Sequence, residues 1–291
     1  MSDELRIEGF DFFETESTET TLPETDVPAM QSEDAPVIEG VNSIEAAPID
    51  QTPIGTLDVY ADIVYCIDLT ASMRPIIQKV KETARTLHED LQNVMMTKYQ
   101  RIIKQLRIRV VGFRDIYCDG AYAFETSDFF YLPDQTAEFQ NFVDKLEAKG
   151  GGDIPENSLE ALAMAMQSDW CTTIDNSVRK RHIVVLFTDA SAHPLEKAAS
   201  YTGSNYPANM PKSYSELIDW WSGQGSLNSG VSVNMDPVAK RLALYAPEGS
   251  APWTDLSEDF DSCLVNFIQS ANGGRDIETE DLLKILGETM A

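Results

Sequence analysis

Two apolar runs restrict what this chain can fold into. Residues 58–68 read DVYADIVYCID and residues 181–190 read RHIVVLFTDA. Both are dense in β-branched and aromatic side chains, with little polar alternation. A strand with one wet face alternates apolar and polar residues, whereas a continuous apolar run is covered on both faces. Such strands lie inside parallel sheets flanked by helices. The expected fold class is therefore α/β, a doubly wound, largely parallel sheet with helices on both sides.

The intervening patterns fit that expectation. Ile76, Val80, Ala84, Leu87, Leu91 and Val94 recur at three- and four-residue spacing and predict one long helix with an apolar stripe. LRIRVVGFRD (106–115) reads as a second strand, and AYAFETSDFFYL (121–132) as a further strand or hairpin arm at a sheet edge. TAEFQNFVDKLEA (136–148) has helical periodicity and stops at KGGGD. IPENSLEALAMAMQSDW (154–170) restarts a helix with Pro155 in its first turn, and Glu156 reads as a first-turn acid favoured by the helix dipole. Residues 191–235 read as an irregular excursion apart from a short helix at SYSELIDWW (213–221). RLALYAP (241–247) is a strand, LSEDFDSCLVNFIQSA (256–271) an amphipathic helix, and ETEDLLKILGETM (278–290) a last helix. No sixth strand is placed after RLALYAP.

Charge divides the chain. The net charge is −26, and residues 1–57 carry 14 Asp or Glu against a single basic residue, Arg6. That stretch is also rich in Thr, Ser and Pro, and is expected to be a disordered acidic arm preceding a domain over 58–291. Within it, GFDFFETE (9–16) has the composition of a short docking motif. So acidic a chain is a poor partner for nucleic acid or an anionic membrane, and a better one for divalent cations or basic proteins. No basic, apolar leader and no membrane-length apolar stretch is present. Four scattered cysteines without a CxxC pair give no zinc or redox motif and fit a reducing cytoplasm.

Ligands of open α/β sheets sit beyond the carboxyl ends of the strands. Three segments reach that edge here: DLTAS with Asp68, Thr70 and Ser72; GGGDIPE with Asp153; and FTDA with Asp189. Every ligand atom they offer is oxygen, the donor set of a hard divalent cation such as Mg²⁺ or Mn²⁺. The competing explanation for DLTAS alone is that Thr70 or Ser72 caps the following helix.

Together, DLTAS, GGGDIPE and FTDA resemble the metal-ion-dependent adhesion site of the von Willebrand factor A domain, over roughly residues 58–275. GGGDxPE, with VVGFRD before it, resembles a subgroup of intracellular A domains associated with tellurite resistance or atypical kinases. The resemblance implies a Rossmann-like sheet, a metal held by Asp68, Thr70, Ser72, Asp153 and Asp189, and a protein-binding rather than catalytic function. Asp153 stands where much of the family has Thr, and an extra carboxylate implies weaker capture of a partner's acidic side chain. The implied role is scaffold or regulator beside a kinase, phosphatase or ATPase.

Two other functions remain open. One is a Mg²⁺-dependent phosphoryl-transfer enzyme; the second Asp that a dehalogenase-like phosphatase needs is replaced by Thr70. The other is an assembly protein docking through its acidic arm. No GxSxG elbow or P-loop is present, and His88, His182 and His193 are the only histidines. His193 reads as a solvated loop residue, and Asp115 as a strand-end residue near the site but not a ligand. Trp220, Trp221 and Trp253 read as packing residues.

Overall fold

The computed structural model describes residues 58–151, 154–172, 179–224, 233–268 and 273–291. The acidic arm and Asp153 lie outside the described residues.

The double-sided apolar runs do form central strands. β1 (Asp58–Asp68) lies between β2 (Ile102–Phe113) and β5 (Arg179–Phe187), parallel to both. The sheet continues through β6 (Lys240–Pro247) to β7 (Cys263–Ile268), again parallel. At the other edge, two short strands, β3 (Phe124–Thr126) and β4 (Phe130–Leu132), pair antiparallel with β2. These are the two arms of the AYAFETSDFFYL segment. The strand order is β3-β2-β1-β5-β6-β7, with β4 also on β2.

Helices cover both faces. On one side α1 (Arg74–Thr83), α2 (Leu87–Tyr99) and α4 (Thr136–Lys145) pack with the last helix, α8 (Thr279–Met290), over Ile63, Ile67 and Ile183. Between them in sequence, α3 (Ile116–Asp119) is one short turn after β2. On the other side α5 (Ser158–Met166), α6 (Tyr214–Trp221) and α7 (Trp253–Asp259) pack over Val64, Cys66 and Val184. Trp220, Trp221 and Trp253 are all buried in this second core, as their composition predicts.

Three expectations are corrected. The long helix is two. Ala84 and Leu87 stay buried, so the apolar stripe crosses the break undisturbed and periodicity cannot reveal it. The local cause is visible at Thr83, whose hydroxyl donates back to the carbonyls of Lys79 and Val80, an arrangement that bends helices. Next, the predicted helix 256–271 is a short helix and a strand. α7 ends at Asp259, and Ser262 at φ 59° turns the chain into β7, the missing sixth strand of the main path. A short apolar run such as CLVNFI fits strand or helix equally, and only pairing with β6 decides it. Finally, α5 begins at Ser158, after Pro155 and Glu156 rather than at them. Tertiary backbone bonds claim that stretch: Glu156 N donates to Ser191 O, and Asn157 N donates to Arg114 O.

Within 191–235, a 3₁₀ turn (Leu195–Ser200) precedes α6. No helix among the described residues is long and apolar enough to cross a membrane.

Candidate metal centre

β1 delivers Asp68, fully buried, to the carboxyl edge of the sheet. One of its oxygens, Oδ1, accepts from the Thr70 amide at 2.9 Å and from the Thr70 hydroxyl at 2.6 Å. The other, Oδ2, accepts from the Thr188 hydroxyl at 2.9 Å. Thr70 Oγ1 lies 3.4 Å from Ser72 Oγ, and Ser72 Oγ donates to Asp189 Oδ1 at 2.9 Å. Asp189 Oδ2 accepts from the Gly273 amide at 2.9 Å. Asp68, Thr70, Ser72 and Asp189 thus form one continuous chain of oxygens. Neither hydroxyl caps a helix: no side-chain cap bond is made at the start of the 3₁₀ turn Ala71–Met73 or of α1. The capping explanation of DLTAS therefore fails: extended backbone through Thr70 sets Asp68 and Thr70 on one side, and the 3₁₀ turn that follows brings Ser72 to them.

The glycine-rich segment reaches the same place. Lys149 N donates to Leu69 O at 2.9 Å. Gly151, at φ 75°, runs so close to Thr70 that an added Cβ would sit 3.0 Å from Thr70 Cβ. Glycine is needed there for both reasons. Arg114, from VVGFRD, pins the approach. Its buried guanidinium donates to Lys149 O, Glu147 O and Tyr122 O at 2.8–2.9 Å and pairs with Glu125. Asp153 follows two residues after Gly151 and lies outside the described residues.

Electrostatics separates the two buried aspartates of β1. Asp62 faces a guanidinium, accepting from Arg107 Nε at 2.7 Å and Arg107 Nη2 at 2.6 Å. Asp68 receives only neutral donors and belongs to no ion pair among the described residues. Burial pushes its carboxyl up to about 6; the bonds from Thr70 and Thr188 pull down, and the nearby charge of Asp189 adds to the rise. A buried carboxylate without a cation is costly. A divalent ion would supply what Arg107 supplies to Asp62. Among the described residues no cluster of three or more His, Cys, Asp or Glu side chains forms. Two carboxylates and two hydroxyls fit a hard cation that keeps part of its water shell, not a closed zinc cage.

Three residues near the site escape sequence reasoning. Thr188 precedes the singled-out Asp189, and Gly273 belongs to a loop from the far end of the chain. His193 is not solvated: it is 2% exposed, its Nε2 lies 3.2 Å from Asp115 Oδ1, and its ring meets Tyr117 edge-on. Asp115 accepts from Tyr117 N and turns into the centre of this polar cluster behind the site. His193 N donates to Glu156 O, so the loops carrying Asp189 and GGGDIPE are joined by backbone as well.

Residues 62–202, which contain every described oxygen donor of this site, match the family model described as von Willebrand factor A domain. Alpha-protein kinase vwkA of Dictyostelium discoideum is 27% identical over 147 residues, covering 50% of this chain and 21% of that protein. Among solved structures, a von Willebrand factor type A protein from Catenulispora acidiphila aligns with TM-score 0.42 and 16% identity, over 80% of this chain and 43% of that one. Proximal thread matrix protein 1 of the mussel byssus, with zinc in its MIDAS motif, aligns with TM-score 0.43 and 14% identity, over 80% and 48%. The chain thus spans well under two thirds of each. The segment similar to the von Willebrand factor A domain model is the one that builds this chain of oxygens.

Proposed function

We propose that the protein is a metal-dependent protein-binding module, a scaffold or regulator without catalysis of its own. Its metal would be held by Asp68, Thr70, Ser72 and Asp189, with Asp153 as a further donor. The observation that carries this reading is the buried Asp68, in no ion pair among the described residues, joined through Thr70 and Ser72 to a second carboxylate, Asp189, just past the end of a different strand. Mg²⁺ or Mn²⁺ bound there would present an open coordination position to an oxygen of a partner protein. Asp68 and Asp189 supply charge, while Thr70 and Ser72 supply neutral oxygens. Thr188 and Gly273 hold the two carboxylates in place by donating to Asp68 Oδ2 and Asp189 Oδ2, the oxygens outside the Thr70–Ser72 chain.

von Willebrand factor A domains generally mediate metal-dependent protein interactions. GGGDIPE supports placement in the GGGDxPE subgroup, and the match to a segment of a protein named a kinase supports a partner of the kinase, phosphatase or ATPase class. Four free cysteines support a cytoplasmic setting. The test is affinity capture with the full chain, in Mg²⁺ and after chelation. Partners are expected to be retained in Mg²⁺ and lost both on chelation and in D68A. Retention that survives both chelation and D68A would contradict the proposal.

A further inference from the structure

The opposite edge of the sheet holds a feature that the metal centre does not use. Four arginines gather where the parallel strands begin. Arg101 immediately precedes β2, Arg179 opens β5, Arg181 lies two residues on, and Arg241 is the second residue of β6. Strand register brings them together. Arg179 and Arg181 pair with Val59 and Ala61 of β1, and Arg241 pairs with Ile183 of β5. Directly paired residues share a face, so Arg179, Arg181 and Arg241 all lie on the side covered by α1, α2 and α8. The cluster is close enough for the charges to act on one another. Burial, then Arg241, Arg179 and Arg101, bring the Arg181 guanidinium down to about 10. Burial, then Arg101 and Arg241, lower Arg179 as well.

Part of this has a structural explanation. Arg181, 8% exposed, donates through Nε to Thr289 O and through Nη2 to Ala291 O, both at 3.1 Å, and so satisfies carbonyls at the end of α8. Arg241 donates to Val238 O and Lys240 O. The rest is unexplained by packing. The chain has 48 acidic against 22 basic side chains, yet none of the four arginines enters an ion pair among the described residues. Arg101 Nη1 is buried with no hydrogen-bond partner.

We propose that Arg101, Arg179 and Arg241 form an oxyanion site for a compact phosphoryl-bearing ligand, with Arg181 as its fixed, buried charge. Guanidinium forks match the oxygens of a phosphoryl group, and a multivalent tetrahedral anion can accept from several at once. The ligand is compact because a net charge of −26 repels an extended polyanion. The site lies at the amino edge of the sheet and does not depend on the metal reading.

The probe is inorganic pyrophosphate, titrated by calorimetry into the full chain stripped of divalent cations, against KCl at matched ionic strength. Wild type is expected to give saturable binding that weakens about tenfold or more in R101Q/R179Q, with R101K/R179K in between. Circular dichroism checks that the variants fold. Should the double variant not fold, R101Q alone carries the test, because the Arg101 side chain makes no described hydrogen bond. No saturable binding to wild type, equal binding to the glutamine variants, or a response that KCl reproduces would overturn the proposal.

Discussion

Ser72 Oγ donates to Asp189 Oδ1 at 2.9 Å across 117 positions of sequence. That bond ties the start of one helical segment to the end of a neighbouring strand. It joins two carboxylates into one site through hydroxyls alone, and it sets where the ring is sensitive to change.

Thr188 is expected to matter although it bonds Asp68 Oδ2, outside the Thr70–Ser72 chain. Its hydroxyl donates to Asp68 Oδ2, and T188V keeps the shape while deleting the donor. A buried charged acceptor that loses a bond costs ~1–3 kcal/mol. Denaturant melts should show that loss, and Mg²⁺ titration should show weaker binding, because Asp68 would hold its proton more tightly.

pH should act on the metal through Asp68. Burial raises its folded-state value to about 6, above the ordinary carboxylate range. The protein without metal is therefore favoured by protonation: this contribution to stability is present at low pH and is lost as pH rises through about 6. Metal binding runs the other way and requires the carboxylate. Mg²⁺ affinity measured across this range should be flat above about pH 7 and fall up to about tenfold per unit below about pH 6.

His182 gives a second, independent pH response. Its Nδ1 accepts from Asp236 N at 3.0 Å, its Nε2 lies 2.9 Å from Cys171 O, and its ring stacks on Trp170. That tautomer is neutral; a second proton would point at an amide hydrogen. Burial accordingly lowers its folded-state value, despite Asp62 and Asp236 nearby. An unfolded histidine protonates near pH ~6.5, so stability should fall below that pH by up to about 1.4 kcal/mol per unit. In H182Q the thermal midpoint should lose this portion of its pH dependence; an unchanged slope would contradict the assignment.

Gly273 is expected to tolerate no side chain. At φ 62° it donates to Asp189 Oδ2, and an added Cβ would fall on the Ser72 carbonyl oxygen. G273A should cost about 2 kcal/mol or more in stability from strain and clash, and should weaken Mg²⁺ binding by releasing Asp189. Unaltered affinity in a folded G273A protein would show that the loop does not hold Asp189 in place.

The sequence reveals the sheet where burial is double-sided, as in β1 and β5, because only a central strand needs apolar residues on both faces. It hides the break between α1 and α2, where Ala84 and Leu87 keep the stripe running. It also hides β7, whose six residues fit either period until β6 pairs with them. At the site, Asp68, Thr70, Ser72 and Asp189 can be read because strand ends and alternate spacing carry the signal. Thr188 and Gly273 cannot: a hydroxyl donor and a loop amide leave no pattern. His193 is misread because burial of a loop residue depends on Asp115, Tyr117 and Lys197 closing around it. The arginine cluster is invisible in one dimension, since its members open three separate strands.

Calorimetric titration of Mg²⁺ and Mn²⁺ into wild type, D68A and D189A tests the metal centre most directly. One saturable site is predicted in wild type, lost or weakened by about a hundredfold in each folded variant, since each removes one of two charged donors. Metal affinity that is the same in all three proteins would contradict it.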